Sequence, residues 1–353
     1  MSSPVFVVST GRCGSTLLSE ILHDHPQVLG VSELFSLLRA EPRFTGEESG
    51  ERFWERLSEM APVVDALVRE GVDVPELRYP YGPSGGGRFD PATGVPGLCH
   101  MTLPMLTDSP DLLHDALAAE VPHWPSRPVP EQYRHLFDLL AARFAHPVVV
   151  ERTGGSLEYV ADLHEAFPDA RFVYLGRDAA DTALSMSRHA LCRLRVLYEE
   201  ALRILGVSSL DELGPEHEPV RDLALGPLRL PFGQGRLMGR DIPLTLFGRW
   251  WSETTRSGTA VLAQLPPGTW TALRYEDLVH RPEQELTELA GFLGLPAPAS
   301  WLTRAATRAD TSRTGASRRL PPAELAALDE ACAPGAEADA ALRALLTARR
   351  AAA

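Results

Sequence analysis

Short apolar runs alternate with segments of helical periodicity along this chain. Val5–Val8 is an uninterrupted apolar run, and residues 15–22 follow it with apolar positions on one helical face. The same alternation recurs at the predicted strands of residues 146–153, 170–176 and 271–274, each of which has an apolar centre. Runs without polar alternation are typical of strands that are buried on both faces of a parallel sheet. We therefore predict an α/β fold, with three α/β/α layers around a central parallel sheet.

The length and composition are consistent with one large domain. The chain has 353 residues, of which 44% are hydrophobic, so it can bury a large core. Two segments, at about 40–135 and 191–248, interrupt the alternation, and loop-forming residues occur in both, including a loop at residues 231–235. We predict a single domain over residues 1–353, in which these two insertions form a ligand pocket and a lid.

The turn between the first strand and the first helix has the composition of an anion-binding loop. Gly11 and Gly14 permit a tight turn with exposed backbone N–H groups, and Ser15 and Thr16 add hydroxyl donors. The helix that starts here directs its positive end at any anion in the loop. Arg12 adds a planar fork of donors suited to phosphate or sulfate oxygens.

This loop differs from the Walker motif of P-loop ATPases and kinases. That motif places a lysine directly after its last glycine, whereas Ser15 follows Gly14 here and the chain contains no lysine. The cation of the loop, Arg12, precedes the second glycine instead. ATP chemistry is therefore disfavoured, and an anion-tolerant turn without catalysis remains an alternative.

Two blocks of sequence resemble the sulfotransferases that use 3′-phosphoadenosine 5′-phosphosulfate (PAPS). Residues 10–18 resemble the 5′-phosphosulfate loop of the bacterial and Golgi-type branches, and residues 170–178 resemble a strand of that family that ends in an arginine. The resemblance implies a P-loop NTPase-like sulfotransferase fold and transfer of a sulfuryl group from PAPS to a hydroxyl. It also implies that the phosphosulfate end of PAPS is bound by the loop residues Arg12, Cys13, Gly14, Ser15 and Thr16.

The second block implies a site for the 3′-phosphate of PAPS. In the family an arginine at the strand end and a serine eight residues later bind this phosphate, and Arg177 and Ser185 match them. The spacing places the serine about two turns into the helix that follows the strand. Ala179 replaces the usual proline of the family, while Asp181 keeps the acid, so no ligand group is lost.

Glu33 is the candidate general base. Residues 25–33 resemble the H-P-x-V-x-x-x-x-E segment of Golgi and related bacterial sulfotransferases, whose glutamate is the base. A partly buried carboxylate next to apolar residues suits that role. Two alternatives stay open: Glu33 caps a helical stretch from Leu34 to Arg39, or the base is a histidine, for which His100 is the candidate.

Three further segments match the family less closely. Arg152 stands where an E-K-T-P segment has a lysine that reaches toward the sulfuryl group, so the resemblance implies electrostatic stabilisation by Arg152. Arg313 and Gly315 match a late R-x-G loop that closes over the 3′-phosphate, but the usual tryptophan is missing. Tyr275 lies in a Y-E-D-L segment that serves either as scaffold or as part of the cofactor edge.

The implied partner is a small hydroxyl acceptor, namely a carbohydrate, lipid or secondary metabolite, that reaches the pocket formed by the insertions. Arginines and backbone dipoles would neutralise the leaving phosphate of PAPS, so we expect no metal.

Two alternative functions remain: a nucleotide-dependent phosphotransferase, which needs ATP and magnesium, and a nucleotide-binding module without catalysis. Single aromatic residues of the insertions, and Trp250 and Trp251, are interpreted as core.

Charge and cysteine content narrow the expected partners and location. The formal net charge of -13 argues against a nucleic-acid partner. The four cysteines show neither metal spacing nor a disulfide pattern, which favours a reduced compartment. No apolar stretch is long enough to span a membrane, and the first strand begins too near Met1 to follow a signal peptide. We expect a cytoplasmic protein, as a monomer or homodimer.

Overall fold

Strand β1 (Val5–Val8) lies at the centre of a five-stranded parallel sheet. The computed structural model describes residues 3–36, 44–229 and 235–352. The strands follow the order β2-β5-β1-β6-β7 in this sheet, and β3 and β4 form a small antiparallel pair. The remaining strands are β2 (Val28–Ser32), β3 (Glu47–Glu48), β4 (Arg127–Pro128), β5 (Val148–Arg152), β6 (Arg171–Gly176) and β7 (Trp270–Arg274).

Helices cover both faces of the sheet. Those in the first half of the chain are α1 (Ser15–His23), α2 (Gly50–Leu57), α3 (Pro62–Arg69), α4 (Gly82–Gly85), α5 (Gly97–His100), α6 (Thr102–Leu106), α7 (Pro110–Glu120), α8 (Val129–Phe144) and α9 (Val160–Ala166). Those in the second half are α10 (Ala179–Ser187), α11 (Ala190–Leu205), α12 (Glu218–Leu225), α13 (Arg236–Gly239), α14 (Leu244–Gln264), α15 (Tyr275–His280), α16 (Pro282–Leu293), α17 (Ala299–Arg308) and α18 (Pro322–Ala352).

Strand β1 shows why its apolar run has no polar positions. Phe6 and Val8 pack on one face of the sheet with residues of α8, α9 and the end of α14. Val5 and Val7 pack on the other face with residues of α1, α16 and α17. Side chains alternate between the two faces of a strand, and both faces are covered here, so every position of β1 must be apolar.

The carboxyl ends of the parallel strands meet at one edge of the sheet. The loops after β1, β2, β5, β6 and β7 therefore lie next to one another, and β1 sits between β5 and β6 in the register. This edge is where ligands bind in open α/β sheets. The sequence-predicted site residues follow these same strands.

The predicted fold class is confirmed. The structure adds β2, an edge strand that the sequence pattern did not indicate, and Glu33 directly follows it. Residues 34–36 form a turn rather than the start of the expected helix, and residues 37–39 lie outside the described part of the chain, as does most of the loop at 231–235. The alanine-rich C-terminal part forms the single long helix α18, which packs along α14.

The four cysteines are buried free thiols. In the three ranges that the structure describes, no helix combines the length and the apolar character needed to cross a membrane. The same ranges contain no group of three or more histidine, cysteine, aspartate or glutamate side chains arranged to hold a metal ion.

Candidate functional site

A cavity of about 850 Å³ opens at the carboxyl edge of the sheet. It brings together residues that lie far apart in sequence and that we predicted to form one site. Eight of the predicted residues line it: Arg12, Gly14, Ser15, Thr16, Glu33, Arg177, Ser185 and Arg313. Of the other three predicted residues, Arg152 and Gly315 contact residues of this lining, and the Cys13 side chain is buried in the core.

The loop after β1 has an unusual backbone. Gly11, Arg12 and Gly14 have φ angles of 78°, 56° and 88°, which are left-handed values. Such a value is uncommon for a residue with a side chain, so Arg12 is held in a strained conformation at the centre of the loop. Helix α1 then begins at Ser15 without a side-chain cap at Gly14, which leaves its first N–H groups available to an anion.

Tyr275 forms part of the wall next to this loop. A Cβ atom placed on Gly14 would lie 2.2 Å from Cδ2 of Tyr275, so only glycine allows the ring to pack there. The ring also lies beneath the Arg177 guanidinium, at 4.7 Å from centroid to Cζ. Tyr275 is thus a wall residue of the cavity as well as the first residue of α15.

Arg177 connects the phosphate loop to the late loop. Its Nη1 donates to the carbonyl oxygen of Arg12 at 3.2 Å, and its Nη2 donates to the carbonyl oxygen of Arg313 at 2.5 Å. The Arg177 side chain is 8% exposed. Because one guanidinium bridges two loops, any anion that binds beside it contacts a preorganised group.

The late loop is held by a buried carboxylate. Asp181 accepts hydrogen bonds from the backbone N–H groups of Gly315 at 2.6 Å and Ser317 at 2.8 Å. Gly315 has a φ of 70° and lies beside Ala316, which lines the cavity. The loop position of Arg313 therefore depends on Asp181, whose side chain comes from α10, the helix that also carries Ser185.

Glu33 lies at the floor of the cavity with its carboxylate surrounded by donors. Its backbone is left-handed, with a φ of 58°, and its N–H donates to the carbonyl oxygen of Arg152 at 2.8 Å. Oε1 accepts a hydrogen bond from the Arg152 guanidinium, and Oε2 accepts from the Ser36 hydroxyl and from the Gly154 N–H at 3.1 Å. The side chain is 8% exposed and faces the cavity.

Arg152 lies behind Glu33 and is only 3% exposed. Thr153, the next residue, accepts a hydrogen bond from the Phe35 N–H at 3.1 Å and donates to Glu151 at 2.5 Å. Burial raises the pKa of Glu151 to about 8, although the Thr153 hydrogen bond lowers it. Strand β5 and the residue after it thus hold the Glu33 turn through the Arg152 guanidinium and through the Thr153 hydroxyl, which is oriented by Glu151.

A second charged network lies beside Arg12. The Arg12 guanidinium forms an ion pair with Glu76, and the second oxygen of Glu76 is 3.0 Å from Nε2 of His189. Burial raises the pKa of Glu76, but the His189 hydrogen bond and the charge of Arg12 outweigh it and bring the pKa to about 2. Glu76 is therefore ionised, and it neutralises Arg12 in this structure.

Two residues from the sequence analysis have side chains that lie in the core and not in the cavity lining. Cys13 is buried in the core beneath the sheet, and burial raises the pKa of its thiol. His100, the alternative base, is fully buried, with Nδ1 at 2.9 Å from the Tyr81 hydroxyl. Burial lowers the pKa of His100 to about 4.

The structure adds three residues to the site that sequence reasoning missed. Glu76 and His189 carry no recognisable motif, because their pairing joins segments that are distant in sequence. Trp250, interpreted as core, does pack against a core cluster, but it is only half-buried, lines the cavity and donates from Nε1 to Glu158 at 2.8 Å. Trp251 is buried, as expected.

Family models match two overlapping parts of the chain. The model described as "Sulfotransferase family" matches residues 4–212, which is more than half of the chain. The model described as "Sulfotransferase domain" matches residues 160–314. Together the matched ranges contain all eleven predicted site residues except Gly315, which lies one position beyond them.

Similar solved structures include three sulfotransferases. The sulfotransferase domain from the curacin biosynthetic pathway is 18% identical, with 94% of this chain and 97% of that chain covered and a TM-score of 0.47. The sulfotransferase domain of the olefin synthase from Synechococcus PCC 7002 is 17% identical, with 94% of each chain covered and a TM-score of 0.47. A sulfotransferase from Alicyclobacillus acidocaldarius is 15% identical, with 99% and 100% covered and a TM-score of 0.37. A comparison with curated proteins finds no match.

Proposed function

This chain belongs to the sulfotransferase family, and we propose that it transfers a sulfuryl group from PAPS to the hydroxyl of a small molecule. In this reaction the bond from sulfur to the 5′-phosphate oxygen breaks and a bond from sulfur to the acceptor oxygen forms. The acceptor proton goes to a base of the protein, and adenosine 3′,5′-bisphosphate (PAP) leaves. The enzyme is therefore a PAPS-dependent transferase.

The observation that carries this proposal is the hydrogen bond from the Arg177 guanidinium to the carbonyl oxygen of Arg12, because both residues line one cavity. The loop residues Gly14, Ser15 and Thr16 offer backbone and hydroxyl donors to a 5′-phosphate, with the N-terminus of α1 behind them. Arg177 and Ser185 lie in the same cavity and suit a second phosphate. A nucleotide with phosphates at both ends of its ribose uses both groups of donors, whereas ATP does not.

Arg313 and Gly315 complete the 3′-phosphate site through the late loop. Arg313 lines the cavity with a largely exposed side chain whose ion pair with Asp310, at 3.6 Å, is also exposed, so the side chain can turn toward a bound phosphate. Cys13 contributes through its backbone, because its side chain points into the core. We assign these residues to donor binding together with Arg177 and Ser185.

Glu33 is the proposed general base. It is the carboxylate on the cavity floor, and it is fixed by Arg152, Ser36 and the Gly154 N–H. The donors to its two oxygens set its orientation, which leaves the cavity-facing side for a hydroxyl proton. Arg152 keeps the base in place and adds positive charge close to the reacting atoms.

The charge that develops on the leaving phosphate oxygen needs positive groups nearby. Arg12, the α1 N-terminus and the backbone N–H groups of the loop supply them, so the proposed reaction proceeds without a metal ion. PAPS itself supplies the activated sulfuryl group. Its doubly phosphorylated nucleotide gives the donor-binding residues two anionic ends to hold.

The two long insertions belong to the same proposed domain, which spans residues 1–353. Glu76 and Met101 from the first insertion, and Leu191 and Arg195 from the second, line the cavity. We propose that both insertions shape the acceptor pocket. The four free buried thiols support a reducing compartment such as the cytoplasm.

Thermal-shift titrations of the purified chain test the donor. We expect PAP to raise the melting temperature in a concentration-dependent way, and ATP with magnesium to leave it almost unchanged. A shift with ATP and magnesium but not with PAP would assign the protein to phosphoryl transfer instead. Incubation with ³⁵S-labelled PAPS and a panel of hydroxyl compounds then separates an enzyme from a module that binds PAP without transferring the label.

A further inference from the structure

We infer that the acceptor is an uncharged alcohol or phenol with an apolar body, and that the acceptor side of the cavity selects against ionised acceptors. This inference rests on the proposed function and narrows its substrate class. It follows from how charges are distributed over the lining of a single cavity. We call the part of the lining around Arg177, which contacts the loop after β1, the donor side, and the part around Glu158 and Trp250, which contact each other, the acceptor side.

Arginines without a carboxylate partner lie in this lining beside the donor-binding residues. Arg188 follows Ser185 by three residues, one helical turn on, and Arg319 lies in the segment after the late loop. In the described part of the chain neither of them forms an ion pair. Together with Arg177 they make this side electropositive, as a donor with two phosphates requires.

On the acceptor side every charged group is already paired. Glu76 is paired with Arg12 of the loop after β1, and Glu33 is paired with Arg152. Arg195 forms ion pairs with Glu158 at 3.3 Å and with Glu199 at 2.8 Å. A charged acceptor would have to enter without a free counter-ion or break one of these pairs, and either event costs free energy in a partly desolvated site.

Apolar and aromatic side chains form much of the remaining acceptor side, where Ser36 and Thr153 are polar but already hydrogen-bonded. Phe35 and Met101 are each 2% exposed and lie on its wall. Tyr159, Leu191 and Trp250 are half-buried and contribute the more accessible surface. Trp250 is fixed because its Nε1 donates to Glu158, so its ring offers a rigid surface to an apolar acceptor.

A calorimetric comparison of matched acceptors on the PAP-saturated protein tests the inference. The pairs are 2-naphthol with 6-hydroxy-2-naphthoate, and 4-ethylphenol with tyramine, so that each pair differs mainly in one charge. We expect each uncharged compound to bind at least tenfold more tightly than its charged partner. Equal or tighter binding of the charged partners, or no binding of either uncharged compound, would overturn the inference.

Two variants test whether the preference for uncharged acceptors comes from the wall that contains Trp250 and Glu158. Trp250→Ala should weaken 2-naphthol binding at least fivefold and leave the affinity for PAP unchanged, whereas Trp54→Ala, a half-buried tryptophan outside the cavity, should change neither. Glu158→Gln keeps an acceptor for the Trp250 N–H but removes one counter-ion of Arg195, so 6-hydroxy-2-naphthoate should bind more tightly. Unchanged affinities in both cavity variants would contradict the assignment of this wall.

The order of the titrations separates this inference from the proposed function. PAP is titrated first, and a chain that does not bind PAP overturns the proposed function together with the inference. A chain that binds PAP and prefers charged acceptors overturns the inference alone. Transfer of label from ³⁵S-labelled PAPS to the uncharged member of each pair is the final check.

Discussion

The Arg177 guanidinium donates to the carbonyl oxygen of Arg12 at 3.2 Å, although the two residues follow different strands. This contact joins the loop after β1 to the loop after β6, which are neighbours in the sheet. It places an arginine suited to a 3′-phosphate within reach of a loop suited to a 5′-phosphate. Binding of one nucleotide through both of its phosphates depends on this arrangement.

Arg177→Ala should weaken PAP binding by about 10- to 150-fold, the equivalent of about 1.5–3 kcal/mol for a charge-assisted hydrogen bond. Adenosine 5′-monophosphate lacks the 3′-phosphate, so its affinity should fall much less. Calorimetry with both nucleotides measures the difference. Equal losses for both would show that Arg177 acts only by holding the two loops together.

Glu33→Gln should retain PAP binding and lose turnover by about 10²- to 10⁴-fold, because the amide cannot accept the acceptor proton. Label transfer from ³⁵S-labelled PAPS measures turnover, and calorimetry measures PAP binding. Glu55→Gln changes an exposed glutamate that pairs with Arg52 on α2, so it should leave both quantities unchanged. Normal turnover in the Glu33 variant would assign the base elsewhere.

Gly14→Ala should abolish PAP binding and destabilise the fold. The new methyl group would lie 2.2 Å from the Tyr275 ring, on a backbone with a φ of 88°. Gly206→Ala is the matched control, because Gly206 has a φ of 71° and nothing within 4 Å of the added atom. The control should lose only about 1 kcal/mol of unfolding free energy, from the backbone strain alone. Melting temperatures of the two variants separate the clash from the strain, and similar losses in both would contradict the close packing of Tyr275 on this loop.

Glu76→Gln should tighten PAP binding roughly fivefold, or by about 1 kcal/mol, because it removes an anion from the cavity and frees Arg12 from its ion pair. Asp73→Asn removes a charge from the same segment at an exposed position outside the cavity lining, and it should have little effect. Weaker PAP binding in the Glu76 variant would mean that the Glu76 carboxylate holds Arg12 in its binding position.

Glu151 should make the stability of the fold depend on pH. Burial raises its pKa from an ordinary value of 4.5 to about 8, so the folded state holds a proton that the unfolded chain releases at lower pH. The stability that this bound proton gives to the folded state is fully present below pH 4.5 and is lost as the pH rises through 8. Glu151→Gln keeps an acceptor for the Thr153 hydroxyl and removes the titration. Urea unfolding measures the free energy of unfolding of the variant and of the unchanged chain at pH 5 and pH 8. The difference in favour of the variant should be larger at pH 8 than at pH 5, by on the order of 1 kcal/mol or more. An advantage that does not change with pH would show that Glu151 is not protonated in the fold.

The strand–loop–helix units could be predicted because buried parallel strands leave a strong signal. Val5–Val8 and Phe172–Leu175 are continuous apolar runs, and the residues that follow their strands carry the phosphate-binding pattern. The meeting of Arg12, Glu33 and Arg177 in one cavity follows from the same rule, since the carboxyl ends of parallel strands share an edge. Strand β2 was missed because Val28–Ser32 is short and contains glycine and serine.

The acceptor side could not be predicted in the same way. Glu76 lies in a segment without periodicity, and its partners Arg12 and His189 are distant in sequence, so only the folded chain shows the network. Trp250 lies on a long amphipathic helix, where apolar spacing does not distinguish a core residue from one at the edge of a cavity. Residues that act through long-range pairing leave no local pattern.

Isothermal titration of the purified chain with PAP tests the central claim most directly. If neighbouring strand ends deliver Arg12, Arg177 and the α1 amides to both phosphates of one nucleotide, PAP should bind in a 1:1 complex with a measurable heat. Absence of binding, or binding no tighter than that of adenosine 5′-monophosphate, would contradict the assignment of this cavity to a PAPS-dependent sulfotransferase.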